Sequence, residues 1–214
     1  MAVTVSNCGT LWRRDIHGRI LDMSQKGMDV LAVLLAAGAG TRFTGPVHKL
    51  RYPFRGRPLV RHGIEAMMTA NIGPCVVVTG AVDISDLLGD VTEVHNPAWA
   101  SGQRSSVQAA IEYGRAHNCD ALVFALGDQP FITADAWRTV AQSTSPLAVA
   151  TYEGHRGHPV RIHQSLWDEF SSLDADPDAG VRTLMRLRPE LVEEVACKGT
   201  SADIDTPEDL SLWT

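Results

Sequence analysis

Val30-Leu31-Ala32-Val33-Leu34-Leu35-Ala36-Ala37-Gly38-Ala39-Gly40-Thr41-Arg42 runs from an apolar segment directly into a glycine-rich loop. Its apolar part, Val30 to Leu35, is short and lacks polar alternation, which is how a strand buried on both faces reads. The same signature returns at Cys75 to Thr79, Val91 to His95, Ala121 to Leu126 and Leu147 to Ala150. Helical patterns separate and follow these runs. They are Leu59 to Ala70, with Pro58 as its first helical residue, then Ser105 to His117, Thr133 to Gln142, Ser165 to Leu173 and Ala179 to Leu187. A last short helix begins at Pro207, capped by Thr206. Strands alternating with helices predict an α/β fold: a single doubly wound, mostly parallel sheet with helices on both faces.

Working outward, the 214 residues are 44% hydrophobic and 21% charged, the balance of a globular domain rather than a disordered, collagenous or coiled-coil chain. No apolar run approaches the roughly 18 residues of a membrane span, and Val30 to Ala37 sits too far in for a signal peptide. A net charge of −6 advertises no nucleic-acid partner. The charge is unevenly placed: Gly38 to Glu65 carries six basic residues and one acid, whereas Ser165 onward carries twelve acids and four bases. A basic segment beside a glycine loop suggests a small anionic ligand. Cys8, Cys75, Cys119 and Cys197 have no metal spacing and read as reduced thiols of a cytoplasmic protein. Residues 1–27 have no period and are expected to be a flexible arm or an upstream extension, with an ordered hairpin the less favoured reading. Residues 28–214 then form one domain.

Ligands of such sheets bind outside the carboxyl ends of the strands. There, Gly38 and Gly40 let the backbone approach a ligand and turn N–H groups into one concavity, which suits phosphate oxygens. Arg42 and Lys49 add fixed positive charge. Phe43 stands where a dinucleotide fingerprint needs Gly or Ala, and the Walker spacing is absent. Gly127 and Pro130 leave Asp128 at the end of a strand, and Thr133 is the better cap for the next helix. Glu208 and Asp209 suit a helix start, but Asp203 and Asp205 have no such explanation. Since Mg²⁺ is commonly held by one or two carboxylates plus substrate phosphates, Asp128 and Asp205 are its candidate ligands. Asn96 to Ser106 opens a helix and can either hydrogen-bond a base or ribose or be ordinary capping by Ser101 or Ser105. His155-Arg156-Gly157-His158 lacks the zinc-helix pattern and is read as a loop. No Ser-His-Asp or Cys-His arrangement has a motif around it, which favours a mechanism without a covalent protein nucleophile.

Taken together, several motifs resemble the nucleotidyltransferases of the molybdenum cofactor group, with their Rossmann-like fold. These are Leu35-Ala36-Ala37-Gly38-Ala39-Gly40-Thr41-Arg42 with Lys49, Asn96-Pro97-Ala98-Trp99 with Gly102 and Ser105-Ser106, and Leu126-Gly127-Asp128-Gln129-Pro130. The resemblance continues through Gly154 to Val160, Asp178-Ala179-Gly180-Val181-Arg182 and Asp203 to Leu210, covering residues 29–214. The Ala-Ala-Gly start and Asp-Gln-Pro are closer to the cytidylyltransferases than to the guanylyltransferases. The loop from Arg42 to Lys49, with Pro46 in it, is longer than the family's Arg-Met-Gly followed shortly by Lys. Arg104 stands where an apolar residue is expected.

The resemblance implies a reaction. The terminal phosphate of molybdopterin attacks the α-phosphate of a nucleoside triphosphate, CTP in preference, and pyrophosphate leaves. By the same carry-over, Leu35 to Gly40 cradle the nucleotide, Arg42 contacts the triphosphate and Lys49 stabilises the α-phosphate. Asp128 and Asp205 hold Mg²⁺. Ala36, Gly80 and Gly102 line the base pocket with Ser105 close by, and His158, Gly180 and Arg182 face the acceptor. Molybdenum hydroxylase apo-enzymes are the implied downstream partners. One rival, a nucleotidyltransferase for a sugar phosphate, alditol phosphate or phospholactate, fits the glycine loop and Asp128 equally well, and only the later motifs favour a pterin. A rival of a different class is a non-catalytic nucleotide- or cofactor-binding maturation factor using the same pocket.

Overall fold

The computed structural model describes residues 29–173 and 180–213 in full. Nearer the start it describes the backbone of β1 (Thr4–Val5), β2 (Leu11–Arg14) and β3 (Ile20–Asp22), paired as a three-stranded antiparallel sheet. The rest of the segment read as an arm, with Cys8, lies outside the described residues, as do Asp178 and Ala179. Along the main body run β4 (Val30–Ala36), a small ribbon of β5 (Pro53–Phe54) and β6 (Arg57–Pro58), then α1 (Leu59–Ala70), β7 (Cys75–Thr79) and β8 (Thr92–His95). Next come α2 (Gln103–Ala116), β9 (Ala121–Leu126), α3 (Ala134–Ala141), β10 (Leu147–Tyr152) and β11 (His155–His163). The chain ends with α4 (Trp167–Ser172), α5 (Arg182–Leu187), β12 (Val192–Ala196) and α6 (Pro207–Leu212).

Seven strands form the main sheet in the order β12-β10-β11-β9-β4-β7-β8. All pairings are parallel except those of β11 with its two neighbours. The alternation of side chains along β4 divides the core. Val30, Ala32, Leu34 and Ala36 pack with α1 and α3 on one face, around Ile64, Met67 and Trp137. Leu31, Val33, Leu35 and Ala37 pack with α2, α4 and α5 on the other, around Ile111, Trp167 and Phe170. A fully buried Val, Leu, Ile or Met side chain of this core contributes about 1.5–3 kcal/mol, and both faces of β4 are covered.

Several sequence expectations change. Pro58 is the cap of α1 rather than its first residue, because its extended backbone pairs with Pro53 in the ribbon. Neither Ser101 nor Ser105 caps α2 through its side chain; Gly102 occupies the cap position, so the helix begins at Gln103. The segment His155-Arg156-Gly157-His158 is not a loop. It opens β11, reached from β10 through a two-residue turn at Glu153 and Gly154, both at positive φ. The register shifts after Val149, so His158 and Pro159 bulge from the ladder, where a proline is tolerated. The edge strand β12 was not anticipated; its Glu193 and Glu194 are the kind of charge that blunts an edge. Among the described residues no helix is long and apolar enough to cross a membrane, and Cys75, Cys119 and Cys197 are free thiols.

Candidate active site

In the sheet order, β4 lies between β7 and β9, and the loops after β4 and β9 open onto the crevice where the winding reverses. The glycine loop leaves β4 and is tied to its neighbours by two backbone bonds: Ala81 N–H donates to the Ala37 carbonyl and Gly127 N–H to that of Leu35. After Gly40 the chain turns, Phe43 N–H donating to the Gly40 carbonyl. Phe43 then buries its ring in a small satellite core with Phe54, Leu59, Ile204 and Leu210. That packing is what delivers the far end of the chain. Ile204 is fully buried, its N–H donates to the Asp128 carbonyl at 2.9 Å, and Asp205 therefore arrives beside the loop. Thr206 and Asp209 close a capping box behind it.

Lys49, despite the longer loop, reaches the centre of this arrangement. Its ammonium donates to Asp128 Oδ2 at 2.6 Å and to Asp205 Oδ1 at 2.9 Å. Arg42, largely exposed, places Nη1 2.8 Å from Asp205 Oδ2. Burial works against the charge of Lys49, but the Asp128 and Asp205 carboxylates more than offset it and raise its pKa. Asp203 is pushed the other way for a carboxylate: burial, reinforced by Asp205 and Asp128, raises its pKa. Asp128 Oδ1 is buried and makes no hydrogen bond.

Two cavities meet here. The first, about 470 Å³, is lined by Leu35, Ala36, Ala37, Gly38, Ala39, Lys49, Gly102 and Asp128, by Trp99 and Ser106 of the Asn96–Ser106 motif, to which no role was assigned, and by Gln103, which the sequence did not single out. The second, about 480 Å³, is lined by His158, Gly180 and Arg182 together with Gln129, Arg156, Ser201, Asp203 and an apolar wall that includes Phe124 and Met185. They share Gln103 and Leu126, and the Asp128-Gln129 step has one residue in each. Burial, then the nearby Arg182 guanidinium, lowers His158 to about 4, so its imidazole is neutral at pH 7.

Gly80 and Ser105 do not line the cavities. Gly80 is pressed behind Ala37 and Trp99, where a Cβ would come within 2.6 Å of the Trp99 Cβ. The Ser105 hydroxyl is engaged with Asn96 and with the Ala98 and Gly102 carbonyls. Asn96, buried, is the hub of this wall: Nδ2 donates to the Ser105 and Ser106 hydroxyls, and Oδ1 accepts from Ala98 N–H. Arg104 turns away from the cleft and donates to the Phe170 and Ser171 carbonyls. Such hub residues carry no local signal except an Asn-Pro turn.

The carboxylates fit a divalent cation. No group of three or more His, Cys, Asp or Glu suited to a metal exists among the described residues. A pair is nevertheless what Mg²⁺ takes when phosphates complete its shell, and Asp128 Oδ1 is a buried acceptor without a donor.

The comparisons agree with this architecture. The model of the MobA-like NTP transferase domain matches residues 32–195. A protein named nicotine blue oxidoreductase, from Paenarthrobacter nicotinovorans, is 34% identical over 197 residues, covering 85% of this chain and 94% of that one. Among solved structures, a nucleotidyl transferase from Methanothermobacter thermautotrophicus superposes with a TM-score of 0.74 at 24% identity, covering 87% of this chain and 96% of the other. A Mycobacterium tuberculosis H37Rv protein in complex with manganese superposes with a TM-score of 0.67 at 23% identity, covering 86% and 97%. At these identities the two structures speak to the fold.

Proposed function

The chain belongs to the MobA-like NTP transferase family, and on that premise we propose that this nucleotidyltransferase joins the nucleoside monophosphate of an NTP, CTP in preference, to the terminal phosphate of a molybdopterin-type acceptor. The observation that carries the reading is the pair of adjoining cavities, with Lys49, Asp128 and Asp205 at the nucleotide side of their junction and Asp203 at the acceptor side. In this reading the glycine-loop amides hold the triphosphate, and the acceptor sits against His158, Gly180 and Arg182. A phosphate oxygen of the acceptor attacks the α-phosphorus, the bond from that phosphorus to the bridging oxygen breaks, and pyrophosphate departs with the electron pair. Lys49 turns its ammonium from the carboxylates onto the α-phosphate, and Arg42 contacts the leaving pyrophosphate; both stabilise charge that grows in the transition state. Neutral His158 lets the acceptor approach without adding a second fixed charge beside Arg182. Mg²⁺, held by Asp128 and Asp205, would screen the phosphate charges and align the triphosphate; manganese bound to the M. tuberculosis relative supports a divalent ion here. Residues 28–214 form the catalytic unit, residues 1–27 are appended to it, and the setting is cytoplasmic. Molybdenum hydroxylase apo-enzymes would receive the product.

One finding favours a second reading. The oxidoreductase name of the P. nicotinovorans relative suggests a redox reaction; against a dinucleotide-dependent form of it stands Phe43 at the third-glycine position. The deciding experiment incubates the protein and Mg²⁺ with CTP, GTP, ATP or UTP and with molybdopterin, a sugar phosphate or an alditol phosphate, and identifies products by mass spectrometry. A cytidylylated molybdopterin is expected. A product from another acceptor replaces the substrate and keeps the chemistry; oxidation of reduced nicotinamide in a parallel series, with no nucleotidyl product, favours the second reading.

A further inference from the structure

We propose that His48 is a positioning residue for nucleotide binding, a strut that holds the glycine loop open to phosphate from behind. His48 precedes Lys49 at the end of the longer loop and caps the short 3-10 turn Lys49–Arg51. Leu50 N–H donates to its Nδ1 at 3.2 Å, so Nδ1 must be bare. The proton is then on Nε2, which donates to the Gly38 carbonyl at 3.1 Å. Burial lowers the pKa of the imidazole and favours the neutral form that both bonds require. The ring also packs on the loop: Gly40 is at φ +60°, and a Cβ there would lie 3.0 Å from His48 Nε2 and 3.1 Å from Lys49 Cγ.

The consequence concerns entropy and direction. A glycine loop has more conformational freedom to lose than any other segment, and ordering it in advance removes that cost from ligand binding. The bond to His48 also occupies the Gly38 carbonyl, whose lone pairs would otherwise repel phosphate oxygens. Gly38, Ala39 and Lys49 line the cleft, while His48 stands outside it, so the imidazole acts through the loop rather than on the nucleotide. The inference rests on the reading that this loop holds a nucleoside triphosphate.

The test compares H48A, H48Q and H48N by calorimetric titration with Mg²⁺ and CTP and by steady-state kinetics, with melting curves to confirm folding. Gln can extend a donor to the Gly38 carbonyl but offers no acceptor at the Nδ1 position; Asn places an acceptor there but falls short of Gly38. Loss of the strut in H48A is expected to weaken CTP binding about tenfold, with KM rising in step and kcat falling by no more than about threefold. H48Q should recover most of the affinity and H48N should not, a split that remains readable even if H48A fails to fold. Recovery by Asn and not Gln, or a fall in kcat at unchanged KM, overturns the assignment. So does wild-type affinity in a folded H48A. A wild-type protein that binds none of the four nucleotides overturns the nucleotide reading and the assignment with it.

Discussion

The ammonium of Lys49 lies 2.6 Å from Asp128 Oδ2, on one of the two carboxylates to which a divalent cation is assigned. On the proposed reading, the Lys49 ammonium gives these carboxylates the positive charge that the cation would also supply. Its removal in K49M takes the shared ammonium from two partly buried carboxylates and leaves only the exposed Arg42 on Asp205. We expect K49M to bind Mn²⁺ in the absence of nucleotide at least about tenfold more tightly than wild type, since desolvated like charges gain strongly from a shared cation. Titration followed by the Mn²⁺ paramagnetic resonance signal checks this; equal or weaker binding contradicts it.

Gly80 supports the cleft wall from behind. In G80A the new Cβ would stand 2.6 Å from the Trp99 Cβ and 2.9 Å from the Ala37 carbonyl oxygen, and backbone must move to admit it. The variant should lose about 1–3 kcal/mol of stability and bind nucleotide markedly less well, because Ala37 and Trp99 both face the cleft. Melting curves and a CTP titration on the same sample read both effects.

The lowered pKa of His158 makes stability depend on pH in a definite direction. A histidine that titrates at about 4 in the fold and near 6.5 when unfolded favours the folded state fully above pH 6.5. That contribution, on the order of 3 kcal/mol, is lost as pH falls from 6.5 towards 4. Urea unfolding of wild type and H158N across this window should show the wild-type slope flattened in the variant.

Arg104 belongs to the fold rather than to the site. Its guanidinium donates to the Phe170 and Ser171 carbonyls at 3.0 and 3.1 Å and lies 5.6 Å from the centre of the Phe170 ring. R104A should cost about 1–2 kcal/mol and lower the melting temperature by several degrees, while kcat and KM for the nucleotide stay within about twofold of wild type.

In the parallel half of the sheet, β4, β7 and β9 were legible because they are largely buried and carry no polar alternation, β4 and β9 matching the reading within a residue, whereas β8, read as buried on both faces, is a largely exposed edge strand. β11 was not legible, since His155 to His163 contains charges, a glycine and a proline, and becomes a strand through pairing on both edges and a bulge at His158-Pro159. In the site, Arg42, Lys49 and Asp128 were readable as groups near strand ends. The meeting of Asp205 with Lys49 depends on Phe43 and Ile204 packing together across the chain, which no local spacing records. Asn96, Gln103 and His48 act through backbone groups or distant walls, and their roles emerge only from coordinates.

The most direct measurement is pyrophosphate release from CTP and Mg²⁺, with and without molybdopterin, in wild type and D128N side by side. Acceptor-dependent release by wild type is expected, slowed by at least about a hundredfold in D128N with the melting curve retained. Release at the same rate in D128N contradicts that expectation. So does nucleotide binding without release by folded wild type supplied with the acceptor, which would leave a cofactor-binding module in place of an enzyme.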